Sequence, residues 1–249
     1  MTRSLALAAL ALLGAPALAA DTKPTPLVSG GIVSADRRAV FLPSKEGGIE
    51  AVDLATGKLL WSTKGAGRLA GASDTVVVAW AADAKRPGSF RVTALDAATG
   101  RVTGTSDPIP MPDWARTQNG DGYRFCTAAQ VRDGGAVVAW RAGTYYAGGA
   151  APPPEVLAAA TRDASGLAQV HFATGKVAPA AGKPKDDDFK VGPGGGATNQ
   201  AGDYTFQASE ELPKPGAPPV TKVTLSVLRG KTELWTREVA GNPWLPPRP

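Results

Sequence analysis

Two residue types that often carry chemistry occur once each in this chain, as His171 and Cys126. A histidine can act as an acid–base group or a metal ligand, and a thiolate can act as a nucleophile. Cys126 lies in an apolar stretch, which favours a buried and inert thiol. A single cysteine permits neither an internal disulfide nor a C-x-x-C-H haem attachment. No G-x-S-x-G elbow accompanies His171, so a Ser–His–Asp arrangement is not predicted.

Two acidic segments offer oxygen ligands for a hard cation such as Ca²⁺. The first is residues 186–188 (DDD), which three lysines flank in a Gly/Pro-rich stretch, so a solvated loop is expected. The second, residues 119–122 (NGDG), resembles a fragment of a calcium loop but lacks the terminal Glu, and a plain turn is expected. We therefore predict no catalytic residue, no metal and no cofactor.

Three aromatic residues, Trp114, Tyr145 and Tyr146, lie in segments that interrupt the repeats described below. Loops on rigid scaffolds commonly carry binding residues, and Trp and Tyr are enriched at interfaces. These three residues are candidates for contact with a partner. The alternative is that their rings pack the insertions onto the protein itself.

A phrase repeated along the chain must position these side chains. It reads AVDLATGK at 51–58, ALDAATGR at 94–101 and QVHFATGK at 169–176, with a degenerate copy LSVLRGK at 225–231. Each copy predicts a hairpin with a polar turn residue, a turn glycine and, in two copies, a Trp on the return strand. The structural repeat residues are Asp53, Gly57, Trp61, Asp96, Gly100, Gly175 and Trp235. His171 stands where Asp53 and Asp96 stand, so we expect it to be a turn residue.

A second repeat, an Asp-marked turn followed by an apolar strand, precedes each phrase. Its copies are residues 36–42, 74–80, 133–140 and 203–208, each after a short weak strand. Four strands per unit predict an all-β fold, a β-propeller of four-stranded antiparallel blades with four recognisable blades and sixteen strands. No helix is expected, and residues 158–160 are assigned to coil or an extra strand.

The four blades could form a closed small ring or an open half-propeller. The proline-rich segment 243–247 cannot form a central strand, which favours an opening between the last blade and the first. Open blade faces of this kind would allow a homodimer.

The N-terminal segment predicts export. Residues 1–19 have the charged end, apolar run and A-x-A site of a secretory signal peptide. The propeller domain is expected over residues 27–241 and a proline-rich tail over 242–249. No apolar run is long enough to span a bilayer, so a periplasmic or secreted protein is predicted. The net charge of +5 is spread without a basic cluster, which argues against a nucleic-acid partner.

Residues 48–61 (GIEAVDLATGKLLW) resemble the PQQ-like β-propeller repeat. That repeat builds pyrroloquinoline-quinone dehydrogenases and also a non-enzymatic propeller lipoprotein of the bacterial outer-membrane barrel-assembly machinery. The second copy has Gly104 in place of the Trp, and the last two copies are degenerate. The resemblance implies a β-propeller in an exported setting. It does not imply the quinone, because the dehydrogenases are longer and use a metal and a carboxylate base.

The sequence thus predicts an exported, non-catalytic β-propeller that acts as a binding scaffold for a protein or cell-envelope component. Two alternatives stay open. One is a diverged quinoprotein that resembles PQQ-dependent oxidoreductases, and the other is a propeller that binds a small molecule or a glycan.

Overall fold

The computed structural model describes residues 24–27, 30–44, 47–86, 88–132, 134–148, 152–185, 189, 199–211 and 222–239. The predicted signal peptide 1–19 and tail 242–249 lie outside these ranges. Within them, the strands form four antiparallel sheets that pack around apolar clusters. Each sheet is a meander of successive strands, as in a propeller blade. The fold is an all-β propeller of four blades, as the repeats predict.

The first two blades each carry one short strand beyond the predicted four. Blade 1 consists of β1 (Thr25–Pro26), β2 (Ile32–Val33), β3 (Ala39–Pro43), β4 (Ile49–Asp53) and β5 (Leu59–Ser62). Blade 2 consists of β6 (Arg68–Ala72), β7 (Val76–Ala82), β8 (Ser89–Asp96), β9 (Val102–Thr105) and β10 (Ile109–Pro110). Both β9 and β10 pair with β8, so together they form the outer edge of blade 2. The described residues therefore contain eighteen strands rather than sixteen.

The last two blades have four strands each. Blade 3 consists of β11 (Tyr123–Arg132), β12 (Gly135–Thr144), β13 (Asp163–His171) and β14 (Val177–Pro179). Blade 4 consists of β15 (Gln200–Ala201), β16 (Tyr204–Glu211), β17 (Lys222–Arg229) and β18 (Thr232–Val239). In every blade the repeated phrase covers the end of the strand before the outer strand and the turn after it, and the outer strand begins at the next residue.

The expectation of coil or strand at residues 158–160 is wrong, because these residues end a helix, α1 (Pro154–Ala160). Pro154 occupies the first turn, where its missing N–H costs no hydrogen bond, and Glu155 lies near the positive end of the helix. None of the helix residues is buried. The helix is an exposed insertion between β12 and β13.

The turns of the phrase are held by their acidic residues. Asp53 Oδ1 accepts hydrogen bonds from Thr56 N at 2.8 Å and Thr56 Oγ1 at 2.7 Å. Asp96 repeats both bonds with Thr99 at the same distances. The hydrogen bond from the Thr56 side chain holds the pKa of Asp53 below its ordinary value. These hydrogen bonds fix the backbone of both turns, each of which contacts a neighbouring blade.

A tryptophan from one blade docks on the phrase turn of the next. The indole of Trp61 donates to Ala97 O at 2.8 Å, and that of Trp235 donates to Leu54 O at 2.9 Å. Both bonds are buried. A Cβ atom at Gly100 would lie 2.5 Å from the Trp61 ring, and one at Gly57 would lie 2.5 Å from Trp235. Since both glycines also have positive φ, no other residue fits these turns.

The interface between blades 2 and 3 is built without a tryptophan. Gly104 stands at the place of Trp61, and a Cβ there would lie 2.4 Å from Phe172 O. Asp107 N also donates to Gly175 O at 2.7 Å. Phe172 takes the position that Leu54 and Ala97 hold in their turns, so a larger turn residue accompanies the loss of the tryptophan. The backbones of the two blades pack directly on each other.

The packed interfaces place the blades in the order 4–1–2–3. Three apolar clusters join blades 4 and 1, blades 1 and 2, and blades 2 and 3. The predicted opening between the last blade and the first is wrong, because Trp235 closes that interface and Arg237 forms an ion pair with Glu50 across it at 2.6 Å. In the described ranges, no apolar cluster joins blade 3 to blade 4.

Among the described residues, the faces of blades 3 and 4 that do not contact blades 2 and 1 have no equivalent of this docking. The outer strand of blade 3 has exposed Ala178 and Pro179 where a tryptophan would stand, and there is open space beside Gly230 of blade 4. The free face of blade 4 carries Thr224, Ser226 and Thr236. A hydroxyl-rich face resembles the polar end of a repeat array. It does not favour the homodimer through blade faces, which stays a prediction.

Truncation of Trp61 should strongly destabilise the protein. The ring is only 8% exposed and also contacts Phe41, with ring centroids 5.9 Å apart. Because Trp61→Ala removes a buried ring and leaves a cavity, we expect a loss of about 3–5 kcal/mol of unfolding free energy in guanidinium titrations. The exposed neighbour Leu60→Ala is the control and should change it by less than about 0.5 kcal/mol. Equal effects of the two substitutions would contradict the docking role.

Asp53 should contribute to stability only where it is ionised. Its pKa is lowered in the folded state, so its contribution is present above the unfolded-state pKa of about 3.9 and is lost as pH falls through the lower folded value. Asp53→Asn should therefore destabilise the protein at neutral pH and flatten the acid limb of thermal stability below about pH 4. The exposed Asp113→Asn is the control. An unchanged acid limb in Asp53→Asn would contradict the assignment.

Candidate binding groove

A groove of about 440 Å³ lies at one end of blade 3. Two insertions build it, one between β10 and β11 and the other between β12 and β13. Its lining consists of Trp114, Arg116, Asp121, Gly122, Tyr123, Thr144, Tyr145, Ala159, Ala160 and Arg162. The groove thus brings Trp114 and Tyr145, two of the three predicted partner-binding aromatics, to one surface. Their role in binding stays a prediction.

Thr144, the last residue of β12, fastens the second insertion. Its backbone N donates to Arg162 O at 2.8 Å, and its hydroxyl donates to Ala160 O at 2.5 Å and accepts from Arg162 N. Tyr145 N donates to Gly122 O at 2.8 Å. The end of α1 and the aromatic wall are therefore tied to the sheet by the backbone.

The first insertion is anchored by its own apolar residues. Ile109, Met111 and Ala115 are buried in the cluster between blades 2 and 3, and Trp114 packs partly against the same cluster. Arg116 curls back and donates from Nη1 to Asp113 O at 2.7 Å and to Ala115 O at 2.8 Å. Its guanidinium carbon lies 5.9 Å from the centre of the Tyr123 ring. These contacts hold an arginine at the groove without neutralising its charge.

The remaining predicted aromatic, Tyr146, is not part of the groove lining. Its ring lies over Gly148, where a Cβ would be 2.3 Å from the hydroxyl oxygen. Tyr145 and Tyr146 are 42% and 37% exposed, whereas Trp114 is partly buried. The Trp114 ring packs its insertion onto the blade and also lines the groove, and its contact with a partner stays a prediction.

The other side chains that could carry chemistry, His171 and Cys126, do not line the groove. His171 is exposed on its turn, and its backbone bonds Gly175 and Lys176. Burial raises the pKa of the Cys126 thiol, which Arg141 and Arg124 oppose only in part. Within the described ranges, no three His, Cys, Asp or Glu side chains come together as a metal site. Residues 186–188 lie outside those ranges.

The predicted plain turn at residues 119–122 forms one wall of the groove. Gly120 and Tyr123 exchange backbone hydrogen bonds at 2.9 and 3.0 Å. Asp121 has a φ of 50° between two glycines of positive φ, and its side chain is exposed. The carboxylate is therefore presented by a tight turn at the rim.

Sequence reasoning missed the cations of the groove. Arg116 and Arg162 are separated by 46 positions along the chain, and no shared motif marks them. Arg116 lies two residues from Trp114, whereas Arg162 lies 16 residues from Tyr146, so no local signal marks Arg162 in the sequence. Within the described ranges, no helix is long and apolar enough to cross a membrane.

Comparisons with known proteins give only distant structural similarities. No protein-family model matches the chain, and no curated protein matches it. Similar solved structures include the computationally designed protein Ika8, with 15% identity, a TM-score of 0.33 and coverage of 82% of this chain and 48% of that one.

Two natural proteins show similarity at the same level. BamB from Moraxella catarrhalis has 11% identity, a TM-score of 0.33 and 90% coverage of both chains. The quinohemoprotein alcohol dehydrogenase ADHIIG from Pseudomonas putida HK5 has 18% identity, a TM-score of 0.31 and coverage of 81% of this chain and 33% of that one. The chain thus spans about half the length of the designed protein and a third of the dehydrogenase. Similarity this low indicates neither a shared activity nor a shared partner.

Proposed function

We propose that this protein is an exported, non-catalytic binding scaffold that presents the groove on blade 3 to a protein partner or cell-envelope component. The observation that carries the proposal is the meeting of Trp114, Tyr123 and Tyr145 with Arg116 and Arg162 at one end of a rigid sheet. Trp, Tyr and Arg are the residues most enriched at energetically important interface positions. The insertions are anchored, so a partner would find these side chains already ordered.

A photocrosslinking experiment tests the binding role. A benzoylphenylalanine residue at position 145 should crosslink the exported protein to a partner in intact cells, because Tyr145 is exposed on the groove wall. The matched control carries the same residue at position 60, which is exposed on the outer strand of blade 1. A discrete product at 145 and none at 60 is expected, as seen by blotting and mass spectrometry. Identical patterns at both positions, or no product at 145, would contradict the proposal.

The non-catalytic part of the proposal has a separate test. General acid–base chemistry needs a base within about 2.6–3.2 Å of the proton that it removes, in a shaped pocket. The open groove offers Asp121 as its one carboxylate within the described residues. We therefore expect no dye reduction above the blank when the protein, pyrroloquinoline quinone and Ca²⁺ are offered alcohols or aldoses. Reduction that Asp121→Asn abolishes would show that the protein is an oxidoreductase.

A further inference from the structure

The charges of the groove point to the chemistry of its ligand. Arg116 and Arg162 are exposed, and in the described part of the chain neither forms an ion pair with a carboxylate. Four arginines elsewhere on the blades are paired with acids: Arg91 with Asp83, Arg124 with Asp163, Arg229 with Asp203 and Arg237 with Glu50. Asp121 is the single anion of the lining, so the groove carries an excess of positive charge.

Arg116 is preorganised for an anion. Its Nη1 donates to the carbonyl oxygens of Asp113 and Ala115, and its guanidinium lies over the ring of Tyr123. A guanidinium carries five N–H donors, and those not used here remain for a ligand. A carboxylate fits such a fork by two parallel hydrogen bonds. Because the side chain is already held, binding loses little rotamer entropy.

The surface beside the groove is apolar. The helix α1 forms the wall at Ala159 and Ala160, and no residue of this helix is buried. On the same helix, Val156 and Leu157 are 44% and 45% exposed. A ligand that covers both the arginines and this helix must combine acidic groups with apolar side chains.

We infer that the groove takes an acidic peptide segment of a partner protein, with carboxylates on Arg116 and Arg162 and apolar side chains against Tyr145 and α1. This inference rests on the proposed function and specifies its ligand. A peptide is favoured over an acidic glycan because the wall of α1 offers alanine, valine and leucine rather than hydrogen-bonding groups.

Fluorescence anisotropy with defined peptides tests the inference on the full mature chain. The probe is fluorescein-labelled Asp-Leu-Asp-Phe-Asp-Leu-Asp, and its neutral match replaces each Asp by Asn. We expect the acidic probe to bind at least about tenfold more tightly than the neutral one, and this advantage to shrink as salt rises to about 0.15 M or more.

Variants locate the binding. Arg162→Gln should weaken the acidic probe about tenfold, because it removes one charge-assisted contact. Among the described residues the side chain of Arg162 forms no hydrogen bond or ion pair, and the exposed Arg101→Gln on blade 2 is the matched control. Arg116→Gln should act like Arg162→Gln.

Three outcomes would overturn the inference: equal binding of the two peptides, no binding of the acidic probe, or an acidic probe insensitive to both groove arginines. An oligogalacturonate that binds where the peptide fails would show that the ligand is a glycan. If crosslinking at position 145 succeeds while the arginine variants behave like Arg101→Gln, the binding function stands and only the acidic peptide is wrong.

Discussion

The arc of blades depends on one contact, the docking of an outer strand on the glycine turn of the neighbouring blade. In two interfaces the contact is a tryptophan whose N–H reaches a turn carbonyl, Trp61 to Ala97 and Trp235 to Leu54. A buried indole contributes large apolar area and must also satisfy its N–H, so the carbonyl fixes where the ring lies. The glycine is required because the ring covers the space of its Cβ.

The interface between blades 2 and 3 shows that a tryptophan is not itself required. What must be filled is the space between the outer strand of one blade and the turn of the next. Blade 2 presents Gly104, and the turn of blade 3 presents Phe172 instead of the Ala97 or Leu54 of its relatives. Interiors are packed like crystals, so a ring lost from one side must be replaced by volume or by closer backbones. Here both occur. At blades 3 and 4 the contact is missing: blade 3 exposes Ala178 and Pro179 in place of the tryptophan, and in the described residues no apolar cluster joins the two blades.

Much of this architecture could be predicted from particular residues. The spacing of Asp53, Gly57 and Trp61 in the repeated phrase predicts a hairpin, and its recurrence predicts blades. The order of packing could not be read in the same way. The prolines after residue 242 suggested an opening between the last blade and the first. Trp235, which precedes these prolines in the chain, joins the two blades instead. Likewise α1 was missed because its seven residues have no buried face and hence no apolar period.

The groove was only partly predictable because its residues converge from segments that share no pattern. The aromatic residues of the insertions could be recognised in the sequence. Arg116 and Arg162 could not, because they meet only in the folded protein, where Thr144 holds the second insertion beside the first. The phrase turn of blade 3 lies at the other end of β13, about 30 Å away for nine residues of strand. The second insertion can therefore vary without disturbing the docking contacts, whereas Met111 and Ala115 of the first insertion are buried in the cluster that joins blades 2 and 3. This separation lets a degenerate repeat keep its fold while the loop between β12 and β13 differs from the short turns of blades 1 and 2.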